Sequence, residues 1–356
     1  MASSAPSCSP FTRTVVSSMR KLYPEALADK SFDNTGLLLE APFDPTKRRQ
    51  RNSVLLTIDL TAAVAEEAIA RRDSVVVAYH PIIFRGLKSI TLSDPQQRTL
   101  LRLVQHGISV YSPHTAVDTV PGGMADWLCD VVTGTFKATD PKSKPIFKEC
   151  TSTLYSEPAY PQPKTAPTVA AANLLHQIPH KRSTIHPSPP ASIPEGFESA
   201  GAGRLVVFNE SQPLAHLIDH IGRGIGLPGG IPIALPQVTG VLLRNGTPLP
   251  HLLLTGEMSH HETLSATERG SVVIALSHSN SERGYLRAIM QLKLYHDLSR
   301  RWKRDREQGL RALQESSKQG GAAPAASYED MYNDELLEVS VSDADRDPFG
   351  IMVYRG

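Results

Sequence analysis

Short β-branched apolar runs alternate with helical stretches along much of this chain, and that alternation limits the folds open to it. Residues 53–60 (SVLLTIDL), 74–79 (SVVVAY) and 108–111 (ISVY) read as buried strands. Thr61 can cap an alanine-rich helix reaching residue 72, with Glu66 and Glu67 early in it. Ser93-Asp94-Pro95 opens a second helix that closes at Gly107. Residues 122–133 suggest a third. A β-α-β-α-β order of this kind implies an α/β fold with a largely parallel sheet covered by helices.

The pattern breaks and then returns. Residues 157–194 are Pro-rich, with Ser, Thr and Ala between the prolines, and read as an irregular excursion without a packed core. Residues 205–208 suggest a short strand and 211–222 a helix. Residues 238–243 and 251–255 read as strands joined across Asn245-Gly246, a hairpin-type turn signal. A helix over 259–270, a strand over 271–276 (SVVIAL) and a long helix over 281–315 follow. The 356 residues thus fit two lobes, or one α/β unit split by an insertion. The expected boundaries are an N-terminal lobe at 11–135, an insertion at 136–237, a C-terminal lobe at 238–315, and a linker and tail at 316–356. The tail carries a strand-like stretch at 337–341.

Composition excludes several classes. Lys plus Arg is 37 and Asp plus Glu is 36, a net charge of +1, which disfavours a nucleic-acid or anionic-membrane coat. No run of about 18 apolar residues exists to span a membrane. Cys8, Cys129 and Cys150 are far apart and odd in number, which fits a reducing compartment rather than a disulfide framework. Residues 11–22 carry Arg13, Arg20 and Lys21 and no acid, so they read either as a first amphipathic helix or as a mitochondrial presequence. The expected location is cytoplasmic, with mitochondrial as the alternative.

Chemistry collects at strand ends. His80 follows SVVVAY, His114 and Asp118 follow ISVY, Glu257 follows HLLLT, and His278 and Glu282 follow SVVIAL. In a parallel α/β sheet, ligands bind at the carboxyl ends of the strands. Imidazole nitrogen and carboxylate oxygen suit borderline divalent ions such as zinc, manganese, iron or nickel. His114/Asp118 and His278/Glu282 are both spaced i, i+4, which on a helical turn gives one face. Each residue also has a plainer reading. A histidine at a strand end is commonly a surface or hydrogen-bonded group, Asp118 can cap a turn, and Glu282 can serve a helix N-terminus.

Other motif matches fail. His260-His261-Glu262 lacks the zincin's second histidine, since position 265 is serine, and Ser259 to Glu262 fits a capping box. Gly224, Gly226 and Gly229 match a dinucleotide fingerprint but follow a helix and enclose a proline. Asp343, Asp345 and Asp347 resemble a calcium loop, but Pro348 holds its glycine position. The basic cluster from Arg300 to Arg306 reads as a solvated helix surface interrupted by Asp305.

Five blocks in order resemble a known family. They are Ser31 to Leu39 (SFDNTGLLL), Ala78 to Phe84 (AYHPIIF) with Lys88, Ser112 to Asp118 (SPHTAVD) with Gly122-Gly123, Thr255 to His261 (TGEMSHH), and Ser277 to Glu282 (SHSNSE). Together they resemble the NIF-three family (NGG-interacting factor three), many members of which are labelled GTP cyclohydrolase I type 2-like. The resemblance implies a two-lobed α/β subunit in a toroidal homohexamer, with a dinuclear site at strand carboxyl ends between the lobes. By motif, His80, Asp118, His278 and Glu282 would hold two divalent ions, with Asp118 and Glu282 as candidate bridges. Tyr79 stands where the family motif has a first histidine, and a phenol is a poorer neutral ligand. His114 and Tyr79 are secondary candidates.

The leading expectation is a metal-dependent hydrolase of a small molecule such as a nucleotide. Glu257 or His261 would act as general base or acid, and His114 would hold Asp118 or a water. The alternatives are an interaction protein with a structural metal site and a protein partner such as a transcription factor, or a metal-handling protein.

Overall fold

A computed structural model describes residues 8–44, 46, 50–134, 178–225, 230–236, 249–318 and 326–349. In chain order, its strands are β1 (Gly36–Leu39), β2 (Ser53–Thr57), β3 (Val75–Ala78), β4 (Ser109–Ser112), β5 (His180–Pro187), β6 (Gly201–Phe208), β7 (Ile233–Ala234), β8 (Leu252–Thr255), β9 (Val272–Ala275) and β10 (Glu338–Val341). The α-helices are α1 (Pro10–Leu22), α2 (Ala62–Arg71), α3 (Pro95–Gln105), α4 (Thr115–Thr119), α5 (Met124–Thr133), α6 (Leu214–Ile225), α7 (His260–Glu268), α8 (Asn280–Tyr285), α9 (Gln291–Lys318) and α10 (Ala326–Asn333). One π-turn, Leu286–Met290, separates α8 from α9.

The chain forms two compact units. The first draws its described residues from Met1–Gly123, Pro187–Gly201 and Leu286–Asp345, and the second from Met124–His186, Ala202–Tyr285 and Arg346–Gly356.

The first unit is built on a five-stranded sheet in the order β1-β4-β3-β2-β10. Strands β10, β2, β3 and β4 are parallel, and β1 runs antiparallel to β4. Every residue of β2, β3 and β4 is buried. Their largely apolar sequences, with small Ser and Thr only at the strand ends, reflect covering on both faces. The helix starts follow local chemistry. The Thr61 side chain accepts the Val64 N–H, and Asp94 accepts the Gln97 N–H with Pro95 at the first helical position. Residues 10–22 form an amphipathic helix, α1. Phe11 and Met19 are fully buried, and Phe11 meets the edge of Trp302 with centroids 5.1 Å apart.

The second unit carries a three-stranded sheet, β7-β9-β8, in which β8 and β9 are parallel and β7 is antiparallel. A separate ribbon pairs β5 with β6. Arg182 on β5 donates to Asp126 (3.2 Å) and Asp130 (2.7 Å) on α5, fixing the ribbon to that helix.

The expected boundaries at 11–135, 136–237, 238–315 and 316–356 are consecutive, whereas each compact unit draws on separated segments of the chain. Helix α9 belongs to the first unit because Leu294, Leu298 and Trp302 form a buried stripe on it. As the strand-like stretch at 337–341 suggested, the tail supplies a sheet strand, β10, in register with β2 from Glu338 opposite Ser53. The described part of the Pro-rich stretch, 178–194, is not irregular throughout. Prolines 179 and 187 punctuate a strand whose Thr184 and Ile185 favour extended backbone. Residues 157–177 and the expected strand and turn at 238–248 lie outside the described residues.

Candidate functional site

In the first unit, β2, β3 and β4 run in parallel, so the residues after them share one sheet edge. Those residues include Asp59, His80 and His114. The His80 Nδ1 lies 2.9 Å from Asp59 Oδ1. The His114 Nδ1 lies 2.6 Å from Asp33 Oδ1, and Asp33 also accepts the Thr115 N–H at 3.2 Å and the Thr115 hydroxyl. Burial by itself would raise the Asp33 carboxyl, but the bonds from His114 and Thr115 outweigh it and hold the carboxyl below its ordinary value. A ring that donates Nδ1–H to a carboxylate carries its lone pair on Nε2, the arrangement of oriented metal-ligand histidines.

Asp118, on α4, accepts a short hydrogen bond from the hydroxyl of buried Tyr79. The Nδ1 of His114, expected to hold Asp118 or a water, engages Asp33. The i, i+4 spacing does not make a helical pair because His114 is the N-cap of α4, with φ 34°. The His80 and His114 rings pack edge-to-face with centroids 5.5 Å apart. Exposed Phe32 and Phe84 flank His114 at 6.5 and 6.4 Å.

In the second unit, the parallel pair β8 and β9 places Glu257 and His278 after neighbouring strands. His278 Nδ1 lies 3.0 Å from Glu257 Oε1. Ser277, just before it, has φ 69°, so backbone strain sits beside His278 as it does at His114. Ser281 Oγ donates to the His278 carbonyl at 2.7 Å. Glu282 is buried in the first turn of α8, and donor atoms of His278 and Glu282 lie within 4.8 Å of one another. His261 is exposed at the start of α7, where Ser259 and Glu262 form the reciprocal capping box. Gly256 has no room for a side chain. A Cβ there would lie 2.9 Å from Ser281 Oγ and 3.3 Å from the His278 carbonyl.

His80, His278 and Glu282 offer the nitrogen and oxygen donors that suit a divalent cation. At the described cysteines, thiolate chemistry is disfavoured. Burial pushes the Cys8 thiol up to about 12 and the Cys129 thiol up to about 11. Two basic residues of α9 are engaged within the chain: Arg301 bonds Asp297 at 2.6 Å, and Arg306 bonds the Tyr332 carbonyl at 2.7 Å. Among the described residues, no helix is long and apolar enough to cross a membrane.

The sequence model of the Duf34/NIF3 (NGG1p interacting factor 3) family matches residues 12–236 and 251–304. The chain belongs to this family. A Schizosaccharomyces pombe relative, "Protein NIF3 homolog", is 38% identical over 288 residues, covering 78% of this chain and 86% of its own. The Saccharomyces cerevisiae relative "NGG1-interacting factor 3" is 33% identical over 298 residues, with 78% and 88% covered. A crystal structure of a Bacillus cereus protein related to NIF3 aligns with TM-score 0.55 at 15% identity, covering 98% of this chain and 100% of that one. At that identity the likeness shows the fold alone.

Two residues of this Duf34/NIF3 chain escaped sequence reasoning. Asp33 lay inside a quoted block without a role, and Asp59 lay inside a run read only as strand. The strand-end rule that singled out Glu257 applies equally to Asp59, which sits two residues past β2.

Proposed function

We propose that this Duf34/NIF3 chain binds two divalent metal ions through His80, Asp118, His278 and Glu282 and hydrolyses a small molecule, a nucleotide being the first class to test. The observation that carries the reading is the carboxylate on Nδ1 of each strand-end imidazole, Asp59 for His80 and Glu257 for His278. Such a partner fixes the tautomer and orients the ring for a cation. Asp118 fits the same chemistry, since the Tyr79 hydroxyl donates to one of its oxygens. Tyr79 thereby acts as a donor to a ligand rather than as a ligand in place of histidine.

Bound divalent ions supply Lewis acidity and make a coordinated water a better nucleophile. The chain's residues do the rest. Glu257, with one oxygen on His278, would accept a proton from the attacking water as general base, and exposed His261, entering protonated, would give its own proton to the leaving group as general acid. His114, anchored by Asp33, orders the first unit's edge beside His80. Assembly as a homohexamer belongs to this reading through family resemblance and is read by light scattering.

The test is metal content per subunit by mass spectrometry, followed by turnover on a nucleotide panel. About two ions in the native protein, fewer in Asp118→Ala, and metal-dependent turnover lost in folded His278→Ala are expected. No ion in gently purified, folded protein overturns the reading. A second reading rests on the name of the S. cerevisiae relative, an interacting factor. Here the chain docks a protein partner and the ions are structural. Full metal content without turnover, and partner capture that persists in Asp118→Ala, would favour it.

A further inference from the structure

The tail beyond β10 is tied to the carboxyl end of β2, all within the first unit. Ahead of β10, at the amino end of β2, Asn52 Nδ2 donates to the Met331 and Asp334 carbonyls at 3.2 and 3.1 Å. Buried Glu67 on α2 accepts the N–H groups of Asp343 and Ala344 at 3.1 and 3.2 Å. The turn so held carries Asp345, which is 3% exposed. Its Oδ2 accepts the Ile58 N–H at 2.8 Å and its Oδ1 the Asp59 N–H at 3.5 Å. A buried backbone N–H at a strand end must find an acceptor, and here a carboxylate from the tail provides it. Asp59 is the residue that orients His80.

We infer that Asp345 is a positioning residue for His80, fixing the 58–59 backbone from which the Asp59 carboxylate orients the imidazole. The inference rests on the metal-binding reading of His80. It concerns a part of the chain that the family match, ending at residue 304, does not cover. The second unit has a parallel arrangement. Asp347 accepts the Ser279 hydroxyl at 2.8 Å, next to His278. One carboxylate thus braces the neighbourhood of each imidazole from the tail, a use that the failed calcium-loop match did not suggest.

The experiment measures Co²⁺ affinity by equilibrium dialysis, alongside thermal melting, in the full chain. Asp345→Ala is expected to weaken Co²⁺ binding about 3- to 10-fold, at or below the range for a direct partner of a ligand. Asp345→Asn retains one acceptor oxygen and is expected to lose less. The double variant Asp59→Asn/Asp345→Ala is expected to bind no more weakly than Asp59→Asn alone, because Asp345 acts through Asp59. Ser342→Ala loosens the same turn and is expected to leave affinity within about twofold, well below the loss expected for Asp345→Ala. Additive losses in the double variant, or equal losses in Ser342→Ala and Asp345→Ala at equal melting temperature, would overturn the inference. His80→Ala separates the two readings: unchanged Co²⁺ binding there removes the metal reading itself. The Nδ1–H proton resonance of His80 reads the link without metal. Faster solvent exchange in Asp345→Ala, or in Asp345→Asn if the alanine variant does not fold, supports positioning; an unchanged resonance rejects it.

Discussion

The two units make the same device from different material. Each ends neighbouring parallel strands with an imidazole whose Nδ1 meets a carboxylate. In the first unit the strands beneath are wholly buried, and the His80 side chain is 19% exposed. In the second, β8 is half-buried throughout, and the His278 and Glu257 side chains are 57% and 65% exposed. A hydrogen bond between exposed ionisable groups competes with water and salt, whereas one at a packed edge is held by its surroundings. The first unit therefore presents a fixed donor and the second an adjustable one.

Core truncation gives the largest expected contrast. Leu56 on β2 is fully buried, and Leu56→Ala is expected to cost about 2–5 kcal/mol. Leu253 on β8 is half-buried, and Leu253→Ala is expected to cost about 1 kcal/mol. The chain's 2 tryptophans fall one in each unit, Trp302 in the first and Trp127 in the second. Denaturant unfolding of Trp127→Phe and Trp302→Phe backgrounds reads each unit separately. Equal costs would break the comparison.

Orientation of the imidazoles comes next. Asp59→Asn is expected to weaken divalent-ion binding by about 10–100-fold, and Glu257→Gln by only a few-fold, because water can replace an exposed partner. Titration with Co²⁺ followed by visible absorption measures both. The reverse ranking would make the second unit the rigid half.

Much of this was legible in the sequence, for identifiable reasons. Strands β2, β3, β4 and β9 announce themselves because burial on both faces demands continuous apolar residues. Helix starts at Thr61, Asp94 and Ser259 follow from side-chain acceptors that satisfy orphan N–H groups. His80, Asp118, His278 and Glu282 stood out because imidazoles and carboxylates follow strands there, and of these His80, His278 and Glu282 form a group that could hold a metal ion. The partition was not legible, because long-range packing such as Trp302 on Phe11 leaves no local mark. Nor was the role of Asp33 or Asp345, since each acts across a large sequence separation on backbone or imidazole. The i, i+4 spacings of His114/Asp118 and His278/Glu282 imply a shared face only where both residues are helical, and neither histidine lies within its helix.

The smallest expected effect separates two carboxylates of the same sign. Asp33 titrates below its ordinary value: burial opposes the shift, but the His114 and Thr115 bonds more than offset it. Glu262 does so through hydrogen bonds from Ser259 at the exposed cap of α7. A carboxyl lowered in the folded state contributes stability that is present above its unfolded value, about 4, and is lost as pH falls through the folded value. Stability of the first unit is therefore expected to decline on acidification below about pH 4, and Asp33→Asn is expected to be less stable at neutral pH with a flatter acid limb. The Glu262 contribution follows the same direction in the second unit but is open to screening, so added salt at about 0.5 M should shrink it and leave the Asp33 limb nearly unchanged. Urea midpoints from pH 2 to 6 in the two single-tryptophan backgrounds, with and without salt, decide this. A salt-sensitive acid limb in the first unit would mean that Asp33 is solvated in solution, and the fixed character assigned to the His114 edge would fall with it.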